Sequence, residues 1–212
     1  MPAYQELHDL IITGKRKPAA EMTQALLDDG KPAVEVLNEG LLPGMSVVGE
    51  KFQSGEYFIS EMLLAARALN AGLAVLKPLL EASDIKPVAK VLLGTVKGDI
   101  HDIGKNLVGI MLKGNGFEVI DAGVDASPAR LIELCRTHQP QVLGLSALLT
   151  TTMPAMADTI AAFEQQGLRS QLKVIVGGAP VTQAYAEKIG ADGYAKNAPA
   201  AVDLVKGLLK LT

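Results

Sequence analysis

Apolar positions recur along this chain with two different periods, and the change of period divides it. Up to about residue 80 the spacing is helical. Leu7, Leu10 and Ile11 lie on one face until Gly14, and a second helix is predicted from Pro18 to Asp29, with proline near its start and Gly30 past its end. Pro32 opens a third helix, which Pro43-Gly44 ends or kinks, and Met45 to Phe52 follow as a short fourth piece. The longest helix is expected to be capped by Ser60 and to carry Leu63, Leu64, Leu69, Leu73 and Leu76 as far as Leu80. Four or five helices with short connections imply an antiparallel bundle.

The pattern changes at Glu81 to Pro87, a polar connector whose proline disfavours helix just before it. Beyond it, short apolar runs alternate with helical segments. Strands are expected near 88–94, 117–121, 141–146, 172–176 and 192–195, and helices near 104–115, 127–138, 154–167, 180–189 and 198–211. Such alternation means a parallel sheet covered on both faces, and five strands suit the flavodoxin-like, doubly wound order 2-1-3-4-5. The expected fold is therefore α then α/β: a helical bundle over 1–86 with a linker at 81–87, followed by a Rossmann-like domain over 87–212. In such a sheet the ligand crevice lies at the carboxyl ends of the first, third and fourth strands.

Composition narrows the functional classes. A hydrophobic content of 49% with 20% charged residues is that of a globular protein. A net charge of −3, no tryptophan and no basic run beyond Lys15-Arg16-Lys17 argue against a nucleic-acid surface. Cys135 is the only cysteine, which excludes an internal disulfide and suits a reducing compartment; its apolar neighbours mark it as core. No segment is expected to approach the ~20 apolar residues of a membrane span, and no signal-peptide run opens the chain, so the expectation is a cytoplasmic protein without membrane contact.

The candidate chemistry lies in three loops. Between the first strand and its helix comes Asp99-x-His101-x-x-Gly104. A carboxylate two positions before an imidazole can accept the proton on one ring nitrogen, fixing the tautomer and leaving the other nitrogen free for a metal. After the third strand runs Ser146-Ala147-Leu148-Leu149-Thr150-Thr151-Thr152, and after the fourth Gly177-Gly178-Ala179-Pro180. Each loop alone reads equally well as an ordinary turn or cap. His8 and His138 lie in helical segments outside the crevice, so with one cysteine a closed zinc site lacks ligands. Asp102, Lys105 and Asn106 begin a helix, where capping explains them as well as ligand contact does.

In combination the loops are specific. Asp99-x-His101-x-x-Gly104, then 41 residues, then Ser146-x-Leu148, then 28 residues, then Gly177-Gly178, resembles the cobalamin-binding signature of methionine synthase and its relatives. Gly49-x-x-Phe52-x-x-Gly55-x-Tyr57-Phe58-Ile59-Ser60-Glu61-Met62 is similar to that family's helical cap. In size the chain is nearest the stand-alone corrinoid proteins of multi-component methyltransferase systems of methanogens and acetogens. A (β/α)₈ methyltransferase barrel, at ~250 residues, does not fit beside these two domains.

The resemblance implies a bound cobalamin whose own base has left the cobalt and threaded into a slot beside the sheet. His101 would take the vacated lower axial position, backed by Asp99 and by the hydroxyl of Thr152. Gly98, Ile100, Asp102, Ile103 and Gly104 would surround the cofactor. Ser146, Leu148 and Thr150 would line the tail slot, with Gly177, Gly178 and Ala179 against the nucleotide. Phe52, Ile59 and Met62 would cover the methyl group, and the 81–87 connector would serve as a hinge.

The implied function is a non-catalytic methyl carrier cycling between Co(I) and methyl-Co(III), with His101 able to take up a proton when it leaves the metal. Its implied partners are a substrate-specific methyltransferase, a second methyltransferase acting on a pterin or thiol acceptor, and a reductive activase for Co(II). The donor stays open among methanol, methylamines, betaines, methyl sulfides and methoxylated aromatics. Other readings are a cobalamin-based sensor, an adenosylcobalamin isomerase subunit and a cofactor-free receiver-like domain, the last lacking the acidic cluster that receivers carry.

Overall fold

A computed structural model describes residues 2–82 and 87–211. Residues 83–86, most of the expected hinge, lie outside the described residues. The chain divides into two compact units: the helices up to Pro87, and Val88–Lys113 with Phe117–Thr212.

In the first unit α1 (Pro2–Ile12) and α2 (Arg16–Asp28) pack against a long α5 (Ile59–Ala82). Gly14 makes the α1–α2 turn at φ +68°, and a Cβ there would stand 2.6 Å from that of Leu64. From Ala33 to Ser54 the chain stays helical but changes pitch. α3 (Ala33–Glu35) passes through a π-helical turn (Val36–Leu41) directly into α4 (Leu42–Ser54). Pro43 explains the change, because its ring denies the carbonyl four residues back an intrahelical partner. That carbonyl belongs to Glu39, and His8 of α1 reaches it through Nε2 at 2.6 Å. Pro43 is thus absorbed near the start of α4 instead of ending a helix, and His8 has a structural task.

Two expectations for α5 are corrected. Ser60 is not its cap: Glu61 turns back to accept the Phe58 N–H at 3.0 Å and the Ser60 hydroxyl at 3.0 Å, so the helix begins at Ile59. Ile59–Leu80 is also long and apolar enough to cross a membrane by length and composition, with mean hydropathy 1.4. A helix in the middle of a bundle passes the same test, since it must be apolar towards several neighbours. α5 packs against α1, α2 and α4 and contributes Met62, Ala65, Ala66, Ala68, Leu69 and Leu76 to the buried core.

Tyr4 ties α1 to α3 through a 2.7 Å hydrogen bond to Glu35 Oε1. Burial and the adjacent carboxylates Glu35 and Glu39 push its phenol up to about 12. A folded-state value above the unfolded ~10 favours the neutral folded form below that pH, and the contribution is lost as pH rises through about 12. Stability measured in urea should therefore fall between these two values, and Tyr4→Phe should remove that part of the slope. An unaltered alkaline slope would contradict the assignment.

The second unit is a five-stranded parallel sheet in the order β2-β1-β3-β4-β5, formed by β1 (Lys90–Thr95), β2 (Glu118–Asp121), β3 (Val142–Ser146), β4 (Lys173–Gly177) and β5 (Gly193–Ala195). The expected fold class is borne out: a helical bundle precedes a doubly wound sheet. Covering helices are α6 (Ile103–Lys113), α7 (Pro128–His138), α8 (Pro154–Gln165), α9 (Gln183–Lys188) and α10 (Ala198–Leu209). α9 is shorter than expected because Thr182 caps it, accepting the Tyr185 N–H, which leaves Pro180 and Val181 outside the helix. Leu92, Leu143 and Val174 share one rung and, with Phe163 and Leu131, fill one face of the core. Cys135 is buried in the same cluster.

Candidate cofactor site

The last paired rung of the sheet aligns Thr95, Ser146, Gly177 and Ala195. Strand order reverses between β1 and β3, so the loops leaving Thr95 and Ser146 diverge there and open a crevice. The Asp99–His101 pair stands in that crevice.

Thr95 is fully buried, and its hydroxyl donates to the His101 carbonyl at 2.9 Å, folding the loop back over the strand end. Gly98 enters the turn at φ +83°, a conformation that favours glycine. Asp99 follows with no exposed surface and its carboxylate surrounded by donors. Oδ1 accepts the His101 backbone N–H at 3.0 Å and faces His101 Nδ1 at 2.7 Å. Oδ2 accepts the Leu148 N–H at 2.8 Å, the Leu149 N–H at 3.3 Å and the Thr152 hydroxyl at 2.7 Å. Burial alone would raise the pKa of this carboxyl. Hydrogen bonds from the His101 and Leu148 backbones, Thr152 and the imidazole outweigh it and hold Asp99 well below the usual carboxylate range.

An ionised Asp99 fixes the His101 tautomer. The 2.7 Å contact favours the tautomer with its proton on Nδ1, facing the carboxylate, and the lone pair on Nε2. The side chain of His101 is 44% exposed. Among the described residues no three His, Cys, Asp or Glu side chains gather to hold a metal. One imidazole is therefore the local donor set. That suits a macrocycle that brings its in-plane ligands and takes only an axial nitrogen from the protein.

The surroundings offer exposed apolar surface to a large cofactor. Ile100, Ile103, Leu148, Leu149 and Val124 are exposed large hydrophobics at or beside these loops. Gly104, in the first turn of α6, has ordinary φ and nothing within 4 Å of where a Cβ would stand. A helical glycine costs up to ~1 kcal/mol relative to alanine, and the polypeptide gives no steric reason for it. Gly178 differs: at φ +131° its Cβ would stand 1.9 Å from the Ala147 carbonyl oxygen, so the β3 and β4 loops themselves demand glycine. Gly177 is also confined, since a Cβ there would stand 3.1 Å from the Ala195 carbonyl oxygen, and Ala179 is exposed beside them.

Of the other expected site residues, Ser146 is half-buried and Thr150 exposed at the crevice rim, and Asp102 accepts from Asn106 Nδ2 at 3.0 Å. Lys105 is buried and reaches Asp121 Oδ1 at 2.6 Å. In the helical unit Met62 is fully buried, Phe52 half-buried and Ile59 exposed, while Phe58, part of the cap motif but given no role there, is the most exposed of these at 68%.

Family models described as B12 binding domains match residues 89–203 and residues 3–77. The chain belongs to the B12-binding corrinoid proteins. Its cofactor is accordingly a corrinoid of the cobalamin type. Dimethylamine corrinoid protein 1 of Methanosarcina acetivorans is 42% identical over 206 residues, covering 97% of this chain and 96% of the relative. Trimethylamine corrinoid protein 1 of the same organism is 40% identical over 203 residues, covering 95% and 94%. Among solved structures, the methanol:cobalamin methyltransferase complex of Methanosarcina barkeri matches with a TM-score of 0.89 and 27% identity, covering 100% of this chain and 81% of that one.

Proposed function

We propose that this protein is the methyl-carrying corrinoid subunit of a methyltransferase system. The observation that carries the reading is the fully buried Asp99 carboxylate 2.7 Å from His101 Nδ1, an arrangement that would leave Nε2 to hold the metal of a corrinoid. When bound, the corrinoid supplies a cobalt centre that accepts a methyl group and gives it up again. The protein's share is to hold, orient and shelter that centre. Thr152 and the Leu148 and Leu149 amides keep the carboxylate aimed at the imidazole. Ile100, Ile103, Leu148 and Leu149 give the crevice an apolar rim, with Ser146 and Thr150 beside the tail slot and Gly98, Asp102, Gly104, Gly177, Gly178 and Ala179 along the cofactor.

A carrier needs a methyltransferase that loads it, one that unloads it onto a pterin or thiol acceptor, and a reductive activase, all in the cytoplasm. Relatives at 42% and 40% identity bear the names of different methylamines, so overall likeness leaves the donor to the loading enzyme. The test is uptake. Apoprotein mixed with hydroxocobalamin and passed through gel filtration should retain about one corrinoid per chain; elution free of cofactor would end the proposal.

A further inference from the structure

Asp125 carries no part of the Asp99-x-His101-x-x-Gly104 signature, yet it grips the loop that bears it. It lies in the β2–α7 loop with φ +50°, one of few non-glycine residues here in the left-handed region. Asp tolerates that conformation better than most residues, but it still costs free energy. What the strained backbone achieves is a two-point hold. The Asp125 N–H donates to the Asp99 carbonyl at 2.9 Å, and its Oδ1 accepts the Gly98 N–H at 2.7 Å. Peptide groups on both sides of the Gly98–Asp99 bond are thereby tied to the loop of a different strand. That loop is itself fastened at its start, where Asp121 takes the buried Lys105 ammonium at 2.6 Å and the Gly123 N–H at 2.9 Å.

We propose that Asp125 is a positioning residue for the axial ligand: by fixing the peptide groups that flank Gly98 and Asp99 it sets where the Asp99 carboxylate, and through it His101 Nε2, stands. The inference rests on His101 being the axial ligand. The other holds on the Asp99–His101 pair described above come from the β1–α6 and β3–α8 loops, so Asp125 is the side-chain brace from the β2 side. Without it the carboxylate keeps its donors but the peptide beneath it can tilt, and the imidazole is presented to the metal less often.

The test is the electron paramagnetic resonance spectrum of full-length protein carrying ¹⁵N-histidine and reconstituted with unlabelled cob(II)alamin, in which an axial histidine splits the cobalt lines into doublets and the cofactor's own base into triplets. Asp125→Gly relieves the backbone and deletes the acceptor; Asp125→Glu displaces the acceptor by one methylene; Asp125→Asn keeps an oxygen at the same place. The Gly and Glu variants should raise the ratio of His-off to His-on protein about fivefold, the factor one net hydrogen bond carries, while Asp125→Asn stays near wild type. If Asp125→Gly does not fold, the Glu and Asn pair decides alone. Wild-type spectra in the Gly and Glu variants, even with lowered urea midpoints, would overturn the positioning role and leave His101 its ligand role. A wild-type protein whose cobalt lines show triplets or no nitrogen splitting would overturn both.

Discussion

Replacing Asp99 by alanine should destabilise the α/β unit by at least ~3 kcal/mol in urea unfolding, since alanine leaves several donors facing a void and each buried donor left unmade costs about 1–3 kcal/mol. The carboxylate is fully buried and is the acceptor for the His101, Leu148 and Leu149 amides, the Thr152 hydroxyl and the imidazole. Asp99→Asn should cost less, because one oxygen survives, but it sets an amide N–H₂ against donors. The same bonds predict a pH dependence. A carboxyl depressed in the folded state contributes fully above its unfolded value of ~3.9, and the contribution is lost as pH falls below that. The acid limb of the wild-type stability curve should therefore be steeper than that of Asp99→Asn; coincident limbs would show that Asp99 does not hold the loops together.

His101→Ala should separate binding from folding. The imidazole is 44% exposed and its loss leaves Asp99 with its backbone and Thr152 donors, so stability should change by no more than about 1 kcal/mol. Corrinoid retention should nevertheless fall at least ~10-fold, the scale on which supporting groups around a metal act. Equilibrium dialysis against hydroxocobalamin measures this. Retention equal to wild type would remove the imidazole from cofactor binding. Together the two variants distinguish a residue that builds the crevice from one that uses it.

Much of this is legible in the sequence because the relevant signals are local. Alternating apolar runs fix the β/α order, and five strands with crossover helices leave few topologies, so the flavodoxin-like order follows. Asp99 and His101 are two residues apart, and their pairing needs no tertiary information. The reach of Thr152 is legible only through the resemblance, since 53 residues separate it from the carboxylate it serves.

What escapes depends on contacts between distant segments. Asp125 has no motif, and its value comes from a left-handed backbone that brings it under Gly98. The apolar character of α5 is masked in the sequence by Glu61, Arg67 and Lys77, which are spread along a helix that buries one face and leaves Leu63, Leu64 and Leu79 exposed. Gly178 reads in the sequence as a place of ligand approach, but the Ala147 carbonyl already requires glycine there. Gly104 is the converse, a glycine where a Cβ would meet no protein atom within 4 Å.

The central claim is that the lower axial ligand is supplied by the protein, through His101. Protein with ¹⁵N confined to histidine, reconstituted with unlabelled cob(II)alamin, tests it directly by electron paramagnetic resonance. Coordination by His101 turns the triplet splitting of the cobalt lines into a doublet, and His101→Ala abolishes the doublet. A triplet that persists, from the cofactor's own base, or lines without nitrogen splitting, from water, would contradict the claim.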